Sequence, residues 1–508
     1  MPSRTPTKHK STHKSTHKYK SKSKSKSKSK YKSKSKSKYK SKSRSKSTTK
    51  IKKHSCNTKV KNTNHSIKNP AIHNIQLLEN ANKTRLLVMR NRNDTRTASV
   101  FFFFKVGSKH EAPSVMGISH FIEHMLFKGS PRYPSYLDIS KTFDANGISF
   151  NAFTAKDMTA YHYKFLATDE NMDIICRITS DMIFHPLMRE REIASERNVI
   201  IQEMKDDEDD IDEWINDKIE CSIISGHPLA NPIIGNLKTL HATGRKELLD
   251  YHHTHYRRDN LVIALSGNIR PRYLAMLDKY FSPPGHGFHS IPASTQRAST
   301  LIPYIDKNTQ TTIECFNKSL QQDYVFIIFK TRGVFDPLIN HYKLLANILG
   351  GNMSSRLFIR IREQLGLVYS VKCGLTNYEE MGYFAITTQN ENKTTLECLQ
   401  NIFLELDKIK SHEVPAQELA ASKKNYCDIF ITNFDDIEYE NEYYAKQVLF
   451  NLPLEPGIKR IEKIQSITAP EVMETAKTLF DYNKMHIITF GKVKKHEIEK
   501  ITRNLSSG

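Results

Sequence analysis

Two histidines and a glutamate stand close together in the segment Gly117-Ile-Ser-His120-Phe-Ile-Glu123-His124-Met-Leu-Phe-Lys-Gly129. In a helix, His120 and His124 lie one turn apart on one face, so their imidazoles can converge on a single cation. Zinc accepts such nitrogen ligands at ~2.0–2.1 Å. Glu123 sits on the same edge of that helix and can reach the ion's water without ligating the metal. A catalytic zinc keeps one position open and lowers the pKa of its water to about 7, where a carboxylate can remove the proton. This is hydrolytic chemistry with Glu123 as the base. Two histidines do not hold zinc alone, and the stretch Glu196-Arg-Asn-Val-Ile-Ile-Gln-Glu203 offers what is missing. Its two glutamates are seven residues apart, two helical turns, so both carboxylates point the same way. One can ligate while the other orients a His ring. The competing structural account is a surface helix carrying satisfied histidines.

The elements that must position these groups can be read from periodicity. Strands are expected over 86–89, 99–106, 149–154, 159–165 and 261–267, the second carrying four consecutive Phe. Helical periodicity runs over 114–128, 136–146, 169–184, 190–218 and 246–256. Strands and helices mixed in one region point to an α+β layer fold. A Pro- and Gly-rich stretch, Ser282-Pro-Pro-Gly-His-Gly287, opens a linker. The residues after this linker echo those before it. Thr243 leads a helix, a polar turn and an apolar strand ending at Gly267; Thr468 leads the same succession to Gly491. The simplest account is two related half-units. The expected organisation is a tail over 1–70, a metal-binding half over 71–282, a linker over 283–299 and a companion half over 300–508. The companion has no His-x-x-Glu-His of its own.

The formal charge of +23 is unevenly placed. Of 77 Lys and Arg, 25 fall within residues 1–70, which contain no Asp or Glu; the remaining 52 face 54 acidic residues. Arguments from net charge therefore concern the tail alone. Its Lys-Ser repeats cannot offset the entropy of ordering, so it is expected to be disordered. It could contact nucleic acid or an acidic surface without specificity, through counterion release. Seven scattered cysteines without a Cys-x-x-Cys pair read as free thiols in a reducing compartment. The cytoplasm is expected, with the mitochondrial matrix as the alternative, because the tail is basic and free of acids. No stretch reaches the roughly 18 apolar residues of a membrane span.

The segment around His120–Gly129 resembles the active-site helix of the inverzincin peptidases, the pitrilysin, insulinase and mitochondrial processing peptidase family. The resemblance extends over roughly 75–495. It implies two half-units, each a mostly antiparallel sheet packed against helices, and a zinc endopeptidase acting on peptides or unfolded segments. It further implies one zinc ion per chain on His120, His124 and Glu203, with Glu123 as catalytic base and Glu196 as supporting partner. Asn151-Ala-Phe-Thr154 is similar to the family's substrate-edge strand, where a peptide adds as an extra strand and Asn151 and Ala152 touch it. Gly350-Gly-Asn-Met-Ser-Ser-Arg-Leu-Phe358 with Arg362 and Tyr369 resembles the C-terminal signature, whose Arg and Tyr bind substrate and steady the developing oxyanion. Relatives with two half-units form homodimers or heterodimers, so Arg362 and Tyr369 are expected to complete a partner's site. The acidic run Asp206-Asp-Glu-Asp-Asp210, with Asp212 and Glu213, would favour basic peptides if it faces the chamber. A catalytically silent partner or scaffold subunit, or a nucleic-acid-associated protein acting through the tail, are the alternatives.

Overall fold

The computed structural model describes residues 75–90, 95–292, 301–503 and 505. The tail expected over 1–70, with its expected disorder, lies outside the described residues. The described residues form one compact unit built on two sheets.

The first sheet holds β1 (Ile75–Glu79), β2 (Arg85–Arg90), β3 (Thr97–Phe104), β4 (Ser149–Thr154), β5 (Thr159–Leu166), β6 (Leu261–Gly267) and β7 (His289–Ser290). Their order is β4-β5-β3-β6-β2-β1-β7, with only the β2–β6 pair parallel. The second holds β8 (Thr312–Asn317), β9 (Gln322–Thr331), β10 (Val368–Asn377), β11 (Gly382–Glu391) and β12 (His486–Gly491), in the order β10-β11-β9-β12-β8. Here only β12–β8 is parallel. From its edge hairpin inward, each sheet therefore repeats one succession: three antiparallel pairings, then a parallel one. The fold is α+β, made of two related half-units. β7 adds to β1 from within the stretch expected to link the halves.

The four-Phe run shows why β3 lacks the alternation of a half-exposed strand. Phe102 and Phe104 pack into one core, and Phe101 and Phe103 into another on the opposite face. A strand covered on both sides has no need of polar residues. One face is covered by helices of the same half: α1 (Ile118–Leu126), α2 (Tyr136–Ala145) and α3 (Asp169–Phe184). The other face is covered by the opposite half, whose helix Ile437–Leu449 sends Tyr444, Ala445, Val448 and Leu449 against Leu87, Phe101, Phe103 and Val262. The arrangement is reciprocal. α5 (Ile211–Ile223) of the first half places Ile215, Ile219 and Ile223 against Phe326, Ile328, Ile488 and Phe490 of the second sheet.

Two helices differ from their sequence expectation. The helix expected from 114 starts at Ile118, because Pro113–Val115 is a 3-10 turn and Gly117 turns left-handed at φ 92°. The helix expected over 190–218 is two, α4 (Glu190–Asp209) and α5, divided at Asp210. Acids 206–210 crowd the negative end of the α4 dipole, which disfavours continuation. Asp210 instead opens α5, accepting the Asp212 N–H at 3.0 Å. Among the described residues no helix is long and apolar enough to cross a membrane.

Reciprocal covering is expected to make the halves unfold as one cooperative unit. Trp214, the sole tryptophan, lies on α5 with its ring 5.2 Å from that of Phe490 in the other half, so its fluorescence reports the contact. Ile219→Ala is expected to destabilise the fold by about 2–5 kcal/mol. Urea midpoints from Trp214 fluorescence and far-UV circular dichroism should coincide and fall together; separate transitions would show halves that unfold independently.

Candidate active site

The site lies where α1 crosses α4. α1 buries Ile118, Phe121, Ile122, Met125 and Leu126 in the first core, and this fixes which residues face away. His120 and His124 then project together: their Nε2 atoms are 3.1 Å apart and their rings meet edge to face at 77°. From α4, the Glu203 carboxylate lies 3.8 Å from His120 Nε2 and 3.6 Å from His124 Nε2. One ligand atom from each residue falls within 4.8 Å of the other two. Tetrahedral zinc with bonds of ~2.0–2.1 Å needs ligand atoms about 3.3 Å apart, so a donor set of two imidazoles and one carboxylate fits that ion.

Glu196, two turns before Glu203, is buried behind this cluster. Its Oε1 accepts from His124 Nδ1 at 3.0 Å and its Oε2 from Lys128 Nζ at 2.6 Å. The first contact sets the ring so that Nε2 faces Glu203. His120 Nδ1 is buried without a hydrogen-bond partner, so Glu196 steers one ring of the two. Glu123 Oε2 accepts from Thr154 Oγ1 at 2.6 Å, which ties the carboxylate of α1 to the end of β4.

Burial and charge divide the roles. Burial, with the neighbouring His124, drives the His120 imidazole down to about 3, leaving it neutral and able to ligate. Burial also opposes charge on His124, but the Glu196 hydrogen bond and the Glu203 and Glu123 carboxylates prevail and raise it. Burial raises Glu123 against the pull of Thr154 and His124, making it a stronger base than an exposed carboxylate. Burial works the same way on Glu196, yet hydrogen bonds from His124 and Lys128 hold it low and therefore ionised.

A cavity of about 1010 Å³ opens beside His120, Glu123 and Glu203. One wall is Ala152, Phe153 and Thr154 of β4; another carries Asp207, Glu208, Asp209, Glu213 and Asp217 from α4 and α5. Much of the acidic run thus faces the cavity, although Lys218 and Lys238 line it too. β4 is the outer strand of its sheet, with Asn151 exposed and Ala152 half-buried on it. Arg362 and Tyr369 are elsewhere. Arg362 lies in a π-helix, Phe358–Gln364, with its guanidinium 4.5 Å from the Phe358 ring centre, and Tyr369 on β10 is 70% exposed. Neither lines the cavity.

Sequence reasoning missed three contributors: Thr154, Lys128 and Glu111. Thr154 and Lys128 stood inside motifs already singled out, at the end of Asn151–Thr154 and one turn after His124. Glu111 gave only one hint, a carboxylate six residues before the glycine that opens α1. Its Oε2 accepts the Gly117 N–H at 2.6 Å and its Oε1 the Ser119 N–H at 2.9 Å.

The chain is similar to two family models and to several known proteins. Residues 86–237 match the family model for insulinase (peptidase family M16), and residues 244–426 the one for the peptidase M16 inactive domain. An uncharacterized zinc protease of Bacillus subtilis, YmxG, is 33% identical over 341 residues, 66% of this chain and 79% of that protein. An uncharacterized zinc protease of Rickettsia felis is 31% identical over 381 residues, 74% of this chain and 88% of its own. The crystal structure of a protease from Helicobacter pylori superposes with a TM-score of 0.74 at 18% identity, covering 83% of this chain and all of that one. On these matches, the chain belongs to the insulinase family of peptidases, family M16.

Proposed function

We propose that this chain is a zinc-dependent metalloendopeptidase hydrolysing peptides or unfolded polypeptide segments. The observation that carries the reading is the meeting of His120, His124 and Glu203 beside a buried Glu123 that is tied to an edge strand. His120, His124 and Glu203 would hold one zinc ion per chain, and Glu196 would keep His124 oriented towards it. The ion would supply Lewis-acid polarisation of the scissile carbonyl and acidify a water.

The remaining steps belong to the chain. Thr154 occupies Glu123 Oε2, which leaves Oε1 to take the proton of the attacking water and return it to the leaving amine. The outer edge of β4 can accept an extended peptide as an additional strand at Asn151 and Ala152, with affinity coming from main-chain hydrogen bonds. A folded domain pairs most of its backbone internally, which favours unfolded segments. The acidic wall adds a preference for Lys- and Arg-rich peptides. Arg362 and Tyr369, outside the cavity of their own chain, suit a dimer in which each copy completes the other's site.

Three outcomes are expected. Glu123→Gln should keep stoichiometric zinc while turnover of an unstructured peptide falls by at least about 10²-fold. Metal analysis and peptide assay on one preparation decide this, and wild-type protein without zinc would sink the assignment. Asp207→Asn, Glu213→Gln and Asp217→Asn together should raise KM for a Lys/Arg-rich peptide on the order of 10-fold and leave an acidic peptide unharmed. An equal change for both peptides would refute the charge preference. Sedimentation of active enzyme should give a dimer; full activity in a strict monomer would exclude a site shared between copies.

A further inference from the structure

The second half contributes none of the side chains that meet at the proposed metal site, yet it reaches the active-site helix by a short route. The hairpin turn between β10 and β11 presents Glu379 and Glu380 to the first half. Lys109 Nζ lies 3.0 Å from Glu379 Oε2 and 2.9 Å from Glu380 Oε1. Lys105 Nζ lies 2.6 Å from Glu379 Oε1. The Lys109 side chain is 2% exposed and both glutamates 1%. Removing these charges from water is costly, and taking away one partner would leave the other buried without compensation.

Lys109 belongs to the turn Ser108–His110, which is itself fixed. The Ser108 and Lys109 N–H groups donate to the Ala155 and Lys156 carbonyls at 3.2 and 2.9 Å. Gly107 ahead of it approaches so closely that a Cβ would stand 2.1 Å from the Ala155 oxygen. Two residues past Lys109, Glu111 accepts the N–H groups of Gly117 and Ser119. α1 has no other side-chain cap, since its N-cap residue is Gly117. Glu111 thus takes the first amides of a nine-residue helix whose third residue is His120, beside Tyr251, whose hydroxyl meets Ser119 Oγ at 3.0 Å, and Thr239, whose Oγ1 donates to the Met116 carbonyl at 2.7 Å. The two ends of this segment face different halves of the molecule.

We propose that the second half sets the position of the active-site helix through this strut: Glu379 and Glu380 grip Lys109, and Glu111 transmits that placement to the first amides of α1. Glu111 is a positioning residue, and the assignment deepens the metallopeptidase reading by giving the companion half a role inside its own chain. A helix that tilts at Ser119 moves His120, the ring Glu196 does not hold, relative to Glu203, while Glu196 pins only the far end of α1 through His124 and Lys128. Removing the grip therefore weakens convergence on the ion without touching a ligand.

The test uses the full chain with Glu379→Gln and Glu380→Gln combined, and Glu111→Gln alone and with them. Hydrogen exchange at the Gly117–Ser119 amides is expected to quicken about 10-fold in the double variant, with α3 amides unchanged. Zinc affinity by chelator competition should weaken on the order of 10-fold, as for other supports behind a ligand. Adding Glu111→Gln should bring little further loss, because both changes cut one connection. Folded variants with wild-type exchange at Gly117–Ser119, an equal rise in α3, or losses that multiply would each overturn the proposal. Should the double variant not fold, Glu380→Gln and Glu111→Asp, which retains the charge but shortens the reach, carry the same comparison. Quickened local exchange in the variants of a protein whose wild type binds no zinc would defeat the metal reading and leave the strut standing; bound zinc with unchanged exchange would do the reverse.

Discussion

Two helices that carry opposite sides of one site must cross in a fixed register, and Glu196 is where α1 and α4 are pinned. Its two oxygens hold His124 near the end of α1 and Lys128 in the turn just after it. With Glu196 seated there, the next inward-facing carboxylate two turns on is Glu203, which lands 3.6–3.8 Å from the paired imidazole nitrogens. A slip of one residue along α4 would move that carboxylate about 1.5 Å and swing it through roughly 100°. The charge on Glu196 matters as much as its position: burial pushes its carboxyl upward, but hydrogen bonds from His124 and Lys128 hold it below the usual range.

The surroundings of this crossing divide the labour. β4 brings Thr154 to Glu123 and offers its outer edge along the cavity, so the hydrogen-bond partner of the proposed base and the proposed peptide-binding edge share one strand. The break at Asp210 has a second effect: it lets α5 leave the direction of α4, so that Glu213 and Asp217 join Asp207 on one wall while the isoleucines of α5 reach the other sheet. One sequence feature, a cluster of acids, thus ends a helix and lines the cavity.

Much of this was legible in the residues. Spacings of four and seven between the histidines and the glutamates foretold faces that the structure shows, because helical geometry converts separation directly into direction. The strands 149–154 and 261–267 were plain for a similar reason, with short apolar runs bounded by turn residues. The repeated succession ending at Gly267 and Gly491 announced the two half-units. What could not be read was long-range. Nothing in Phe101 and Phe103 says that the helix Ile437–Leu449 covers them, and nothing in Lys109 names Glu379, 270 residues away, as its partner. The extent of the 190–218 helix was misjudged because helical periodicity continues through Asp210 while local charge and capping oppose it. Arg362 and Tyr369 carry a signature without geometry, for their own chain's cavity does not include them.

The crossed covering of the sheets has an implication for how such a chain can be divided. Were the two halves parted, each would be left with one bare apolar sheet face and one apolar helix lacking a seat. Neither piece could remain soluble by itself, but the two surfaces are mutually complementary, so fragments made together would reassemble where fragments made apart would aggregate. One continuous chain thus delivers both sheets, and the helices that cover them, in equal number.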